Sequence, residues 1–211
     1  MFTEQTWLVR LIWLALLAVA GGAAFEGRWS LGFVALATLA LSLAPVVVAK
    51  WANIEVPRSF IAAIVLFVGG TVFLGEVYDF YERYWWWDIA MHGGSAIGFG
   101  LMGFVLVFMM FQGDRYAAPP IAVAFFAFCF GITIGVGWEV FEYAMDEIFA
   151  LNMQKSGLQD TMGDLIVDAV GAFIGAAAGF GYLKGRAHGG LPLVLDEFIR
   201  KNPRLFKRFK K

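Results

Sequence analysis

Residues 120–143 read PIAVAFFAFCFGITIGVGWEVFEY. From Pro120 to Trp138 no side chain carries a charge, and then Glu139 and Glu142 follow three residues apart. A helix crossing the hydrocarbon layer needs about 20 mainly apolar residues, and a barrel strand only about half as many in strict alternation. This run is too long and too uniform for a strand, so it predicts a transmembrane helix. Gly131, Gly135 and Glu139 recur at steps of four, which places the first glutamate on the same helical face as two small residues.

Five further stretches satisfy the same criterion, near Trp7 to Phe25, Leu31 to Val48, Ser59 to Val77, Ile89 to Met110 and Leu165 to Leu183. A spanning backbone must satisfy its own hydrogen bonds, so the expected fold is all-α: a polytopic bundle of about six transmembrane helices. Composition agrees. Of 211 residues, 60% are hydrophobic and 16% charged, and the mean hydropathy is +0.71, far above that of an ordinary soluble domain. The first stretch also resembles a signal peptide, with Leu11 to Ala20 as apolar region and Ala18-Val19-Ala20 as cleavage site. No Lys or Arg precedes Arg10 and Glu4 is acidic, which favours a retained first helix.

The net charge of -1 conceals sorting, because nine of the sixteen basic residues follow residue 183. An even number of spans places both termini on one side, and this basic tail marks that side as cytoplasmic. Lys50, Arg58 and Arg115 then fall inside with it, and Arg28, Arg83 and Lys155 outside. Tyr78, Tyr81, Tyr84, Trp85, Trp86 and Trp87 form an expected interfacial belt. The division expected is a bundle over residues 1–183 and a basic, amphipathic cytoplasmic tail over 184–211. Its Leu193, Leu195, Phe198 and Ile199 alternate with basic residues as in a helix lying on anionic lipid headgroups. A partner subunit of a membrane complex is the second reading of the tail. Nucleic acid is not an expected partner.

Four pairs of ionisable residues at helical spacing break the apolar pattern: Glu76 and Asp79, Asp88 and His92, Glu139 and Glu142, Asp164 and Asp168. Placing a charge in a bilayer costs about 2.5 to 3.5 kcal/mol on insertion scales, so these residues are candidates for function. With a rise of about 1.5 Å per residue, His92, Glu139 and Asp168 each lie roughly 5 to 6 Å inside the same end of their spans. In the last span Asp164, Asp168, Gly171, Gly175 and Gly179 form one stripe, and small residues at such spacing let membrane helices approach closely. In the fourth span Asp88, His92, Ser95 and Ala96 share a face, with Gly94 and Gly98 as a second small-residue strip. The connection from Ala144 to Gly163 is a candidate lid.

One imidazole among carboxylates is a hard ligand set. It suits a divalent metal ion such as zinc, iron, manganese, calcium or magnesium rather than copper(I) or an iron-sulfur cluster. The expected metal ligands are Asp88, His92, Glu139, Glu142, Asp164 and Asp168, with the core of the site at His92, Glu139, Asp164 and Asp168. The Glu-x-x-His pairs of di-iron bundles are absent, and His188 falls on the far side of the membrane. The single Cys129 excludes an intramolecular disulfide and a cysteine zinc site. No Walker motif, dinucleotide fingerprint, c-type haem motif or nucleophile elbow occurs. Three functions remain: a metal-dependent protein, an enzyme in one form, acting on a lipid-linked or periplasmic substrate; a proton or cation transporter using the carboxylates as relays; and an accessory subunit of a membrane complex.

The segments WWWDIAMHGGSAIGFG, GVGWEVFEYAMDE and LQDTMGDLIVDAVGAFIGAAAG resemble, in order, the polar motifs of the YjdF-like family of uncharacterised bacterial inner-membrane proteins. The last segment is also distantly similar to VanZ-like proteins. The resemblance implies a multi-pass protein of the bacterial inner membrane. It also implies that Asp88, His92, Glu139, Glu142, Asp160, Asp164 and Asp168 are the polar positions of the family. It implies no reaction, and it does not reach the basic tail.

Overall fold

A computed structural model describes residues 5–111, 117–186 and 189–206, and those residues form helices and turns with no strand. Six helices are long and apolar enough to cross a membrane, as the composition predicts. The chain divides into two compact units, Met1–Trp87 and Asp88–Lys211. His188 and the tail residues Lys207, Arg208, Phe209, Lys210 and Lys211 lie outside the described residues, as does Arg115.

The first unit begins with α1 (Trp7–Phe25), whose first turn is capped by Thr6 accepting from the Val9 N–H at 3.4 Å. It continues through α2 (Trp29–Trp51) and α3 (Arg58–Val68). Val9, Trp13, Val46, Ile61 and Val65 pack as its core. Trp13 donates from its indole N–H to Ser42 Oγ at 3.1 Å, joining α1 to α2 by a bond that lipid cannot replace. The third span does not stay α-helical. Beyond Val68 it widens into a π-helical stretch, Gly69–Val77, and ends before the short α4 (Phe80–Arg83). Three glycines lie in that stretch, and Gly75 leaves room for the ring of Tyr81, which a Cβ would run into. The expected aromatic belt is a ring cluster: Phe80 lies 4.9 Å from both Tyr84 and Trp87, and Trp86 lies 5.3 Å from Trp87.

In the second unit α5 (Trp87–Met110), α6 (Pro120–Phe149) and α7 (Leu158–Leu183) meet along small residues. An added Cβ on Gly100 would lie 2.7 Å from the Ala172 carbonyl, and one on Gly131 would lie 2.8 Å from Ala172 Cβ. The backbones therefore touch, as the glycine stripe of the last span predicts. On α5 the face that carries Asp88, His92 and Ala96 is turned to α7, with Ala96 buried against Gly171. Gly94 and Gly98 meet nothing within 4 Å, whereas Gly93 and Gly100 face α7 and Gly103 faces α6. The seam is set by helix rotation, and two strips of small residues on one helix do not reveal which is used.

Beyond α7, α8 (Gly190–Lys201) lays its apolar face on the bundle, burying Leu195, and a 3-10 turn follows at Pro203–Phe206. The Phe206 ring lies 5.6 Å from Phe108, tilted by 35°, and Phe108 belongs to an aromatic group with Phe104 and Tyr182. Two cations of α8 are held by their own helix: Arg200 lies 2.8 Å from Asp196, and Lys201 lies 2.7 Å from Glu197.

Both α6 and α7 outrun the apolar windows seen in sequence. Hydropathy falls where Asp146, Glu147 and Asp160 appear, but the backbone ladder continues through them. The candidate lid over Ala144 to Gly163 accordingly contracts to residues 150–157.

Candidate functional site

The site lies where α5 and α7 begin and α6 finishes, at the end of this unit away from α8. Glu139, Glu142, Asp164 and Asp168 are buried, the last at 2% exposure, while Asp88 and His92 are half-buried. The step of four from Asp88 to His92 stacks both on one face of α5, with His92 Nε2 3.8 Å from Asp88 Oδ1. The other ring nitrogen, Nδ1, faces Asp168 Oδ1 of α7 at 3.4 Å. One helical turn before Asp168, Asp164 completes a triad: Asp88, His92 and Asp164 each offer one ligand atom, and these atoms lie within 4.8 Å of one another.

Glu139 and Glu142 enter from α6. Both are near enough to His92 to interact with it electrostatically, Glu139 also with Asp168 and Glu142 also with Asp88. Glu142 Oε1 accepts from the Trp138 indole at 2.9 Å. Both oxygens of Glu139 and Oδ2 of Asp168 are buried without a hydrogen-bond partner among the described residues. Gly135 makes this arrangement possible, because a Cβ there would run into the Asp168 carboxylate.

All six expected ligands therefore gather in one unit, and Asp160 joins them at the first turn of α7, interacting electrostatically with Glu139 and Asp164. Because α6 extends from Glu139 to Phe149, that glutamate lies about 15 Å from its helix end, deeper in the helix than the hydropathy window suggests. Asp164 lies inside α7, in its second turn, and so does not cap it. Of the remaining pair, Glu76 is exposed in the π-helical stretch. Asp79 starts α4 in the left-handed region at φ 56° and lies, exposed, 3.8 Å from Arg83.

Four contributors escaped the sequence reading. Trp138 is placed on Glu142 by a step of four that the sequence already contains. Asp146 is legible only in three dimensions: its two oxygens accept the N–H groups of Met153 (2.7 Å) and Gln154 (2.9 Å), folding residues 150–157 back onto α6. Gln154 then donates to Thr161 Oγ1 at 2.6 Å, tying the loop to α7, and the threonine hydroxyl is left to donate toward the Glu139 carboxylate. Hydrogen bonds to a charged group contribute about 1.5 to 3 kcal/mol. Asp146→Ala is thus expected to release this loop, read as faster amide exchange at Met153 and Gln154, while metal content stays unchanged.

Beside Glu139 a groove of about 470 Å³ opens between α6 and α7, lined by Val136, Val140, Tyr143, Gln154, Thr161 and Leu165 among others. That volume falls in the range of about 300 to 1,000 Å³ typical of small-molecule sites.

Fold and site together define a multi-pass helical membrane protein with a buried acid and histidine cluster at one end of its second unit. The chain belongs to the family described as "Predicted membrane protein (DUF2238)", whose model matches residues 5–185 and so covers all six long helices and the whole cluster. A protein of Thermotoga maritima, named "Uncharacterized protein", is 30% identical over 116 residues, 51% of this chain and 57% of that one. The match therefore spans a little over half of that relative's length. No solved structure matches the chain. The expected membership of an uncharacterised membrane-protein family is met.

Proposed function

We propose that Asp88, His92 and Asp164 bind a divalent metal ion, and that the protein uses it on a lipid-linked or periplasmic substrate at the outer face of a bacterial inner membrane. The observation that carries this reading is the triad itself, three ligand atoms within 4.8 Å with a carboxylate behind the histidine. Metal-bound histidines commonly direct their second nitrogen to a carboxylate, which fixes tautomer and ring orientation. Asp168 stands in that position. Three protein ligands with a position left for water or substrate is the pattern of catalytic rather than structural metal sites.

Energetics favour a cation over an empty cluster. Two charged carboxylates within 4.8 Å of each other repel by at least about 3 kcal/mol at an effective dielectric of about 20. A bound dication reverses the sign of that interaction and can polarise a phosphoryl or carbonyl oxygen or activate water. The groove between α6 and α7 offers a lateral approach for an apolar substrate, with Glu139 among its walls.

The basic tail supports the cytoplasmic placement of both termini. Because Arg200 and Lys201 are paired within α8, attraction to anionic lipid falls on Lys184, Arg186 and Arg204 among the described basic residues, at about 1 kcal/mol each. Elemental analysis of protein purified without chelator tests the central reading. Near-stoichiometric divalent metal is the expected result. A metal-free protein that takes up none of zinc, iron, manganese, calcium or magnesium would instead favour the relay or accessory roles.

A further inference from the structure

The triad leaves three buried oxygens unexplained. Glu139 is 4% exposed and Asp168 2%, and both oxygens of the first and Oδ2 of the second have no hydrogen-bond partner among the described residues. They share one seam. The Asp168 carboxylate lies against α6 where Gly135 has no side chain, and Glu139 follows one helical turn later on the same face of α6. Asp168 thus divides its two oxygens, Oδ1 toward His92 and Oδ2 toward the α6 side.

We propose that Glu139 and Asp168 hold a second divalent cation beside the first, so that the centre is a two-ion site. The proposal builds on the metal reading of the triad but stands on different atoms. A proton shared between Glu139 and Asp168 Oδ2 is the competing arrangement, and it predicts no second ion in the titration below. Charge favours the ion. Asp88, Glu139, Glu142, Asp164 and Asp168 surround a single histidine, and the ion pairs given for Asp88 and Asp168 are both with that histidine. One dication leaves this buried group strongly negative, and a second brings it close to balance. Asp168 then bridges the histidine and the second ion, while the all-oxygen set of Glu139 and Asp168 selects a hard ion such as manganese or magnesium.

Two neighbouring ions would stabilise both the attacking and the leaving oxygen of an in-line displacement, which suits a phosphate ester as substrate. No cationic side chain lines the groove, so substrate phosphate must find its positive charge in the ions.

Titrating the metal-free full-length protein with manganese tests this by stoichiometry and by electron paramagnetic resonance. Wild type is expected to bind about two ions per chain with a signal broadened by the neighbouring spin, and Glu139→Gln about one with an isolated-ion signal. Gly135→Ala, which displaces the Asp168 carboxylate without removing a ligand, is expected to lose the second ion as well, with thermal melting reporting that both variants fold. One ion in wild type, unchanged in Glu139→Gln, overturns the second site and leaves the triad standing. No bound manganese at all overturns both.

Discussion

His92→Ala is expected to abolish tight metal binding by the triad while the bundle stays folded. Among the described residues of the cluster the imidazole is the only nitrogen donor, and it links Asp88 on its own helix to Asp168 on α7. Changes to groups that merely orient a ligand lower metal affinity by about 10- to 100-fold, and loss of the ligand itself should exceed that range. His92→Gln separates chemistry from packing, since it refills much of the volume without restoring an imidazole. Calorimetric titration with zinc or manganese reads the affinity, and thermal melting in detergent reads the fold. A proton relay predicts the reverse pattern, with metal uptake indifferent to His92 and ion flux lost in Glu139→Gln.

Gly175→Val is expected to be the most damaging single change to the second unit. Even a methyl group at Gly175 would lie 2.5 Å from the Ile97 carbonyl, 2.9 Å from Gly100 Cα and 2.9 Å from Leu101 N. All three are backbone atoms, so no side chain can rotate aside and α5 and α7 must separate. Overpacking of this kind costs about 1 to 3 kcal/mol, and more when the obstacle is rigid. Separation also pulls Asp168 on α7 away from His92 on α5, so metal affinity should fall together with the melting temperature. Gly94→Val is the control on α5, because its Cβ points into open space, and it should change neither.

The six spans were legible because hydropathy and length decide them, and the buried face of α7 because Asp164, Asp168 and the glycines fall on one helical stripe. What hydropathy could not carry is backbone continuity through polar residues. The ladder of α6 runs on past Asp146 and Glu147 to Phe149, so the connection to α7 shrank to residues 150–157. The π-helical stretch after Val68 was also hidden, since a change in hydrogen-bond register leaves no trace in apolar periodicity; only its three glycines hint at it. On α5 the sequence offers two strips of small residues, and only packing shows that Gly94 and Gly98 are open while Gly93 and Gly100 meet α7. The division of labour within the cluster was out of reach for a related reason. Asp164 and Asp168 are equivalent in spacing, and the rotation of α7 against α5 alone puts one in the triad and the other behind the imidazole.

The most direct test of the account is metal content measured side by side in wild type and His92→Ala, each purified without chelator and reloaded with manganese or zinc. At least one tightly bound divalent ion per wild-type chain is expected, with loss of the triad ion in the variant. A wild-type protein that stays metal-free after reloading, or a variant that keeps the same content and affinity, would contradict the metal reading.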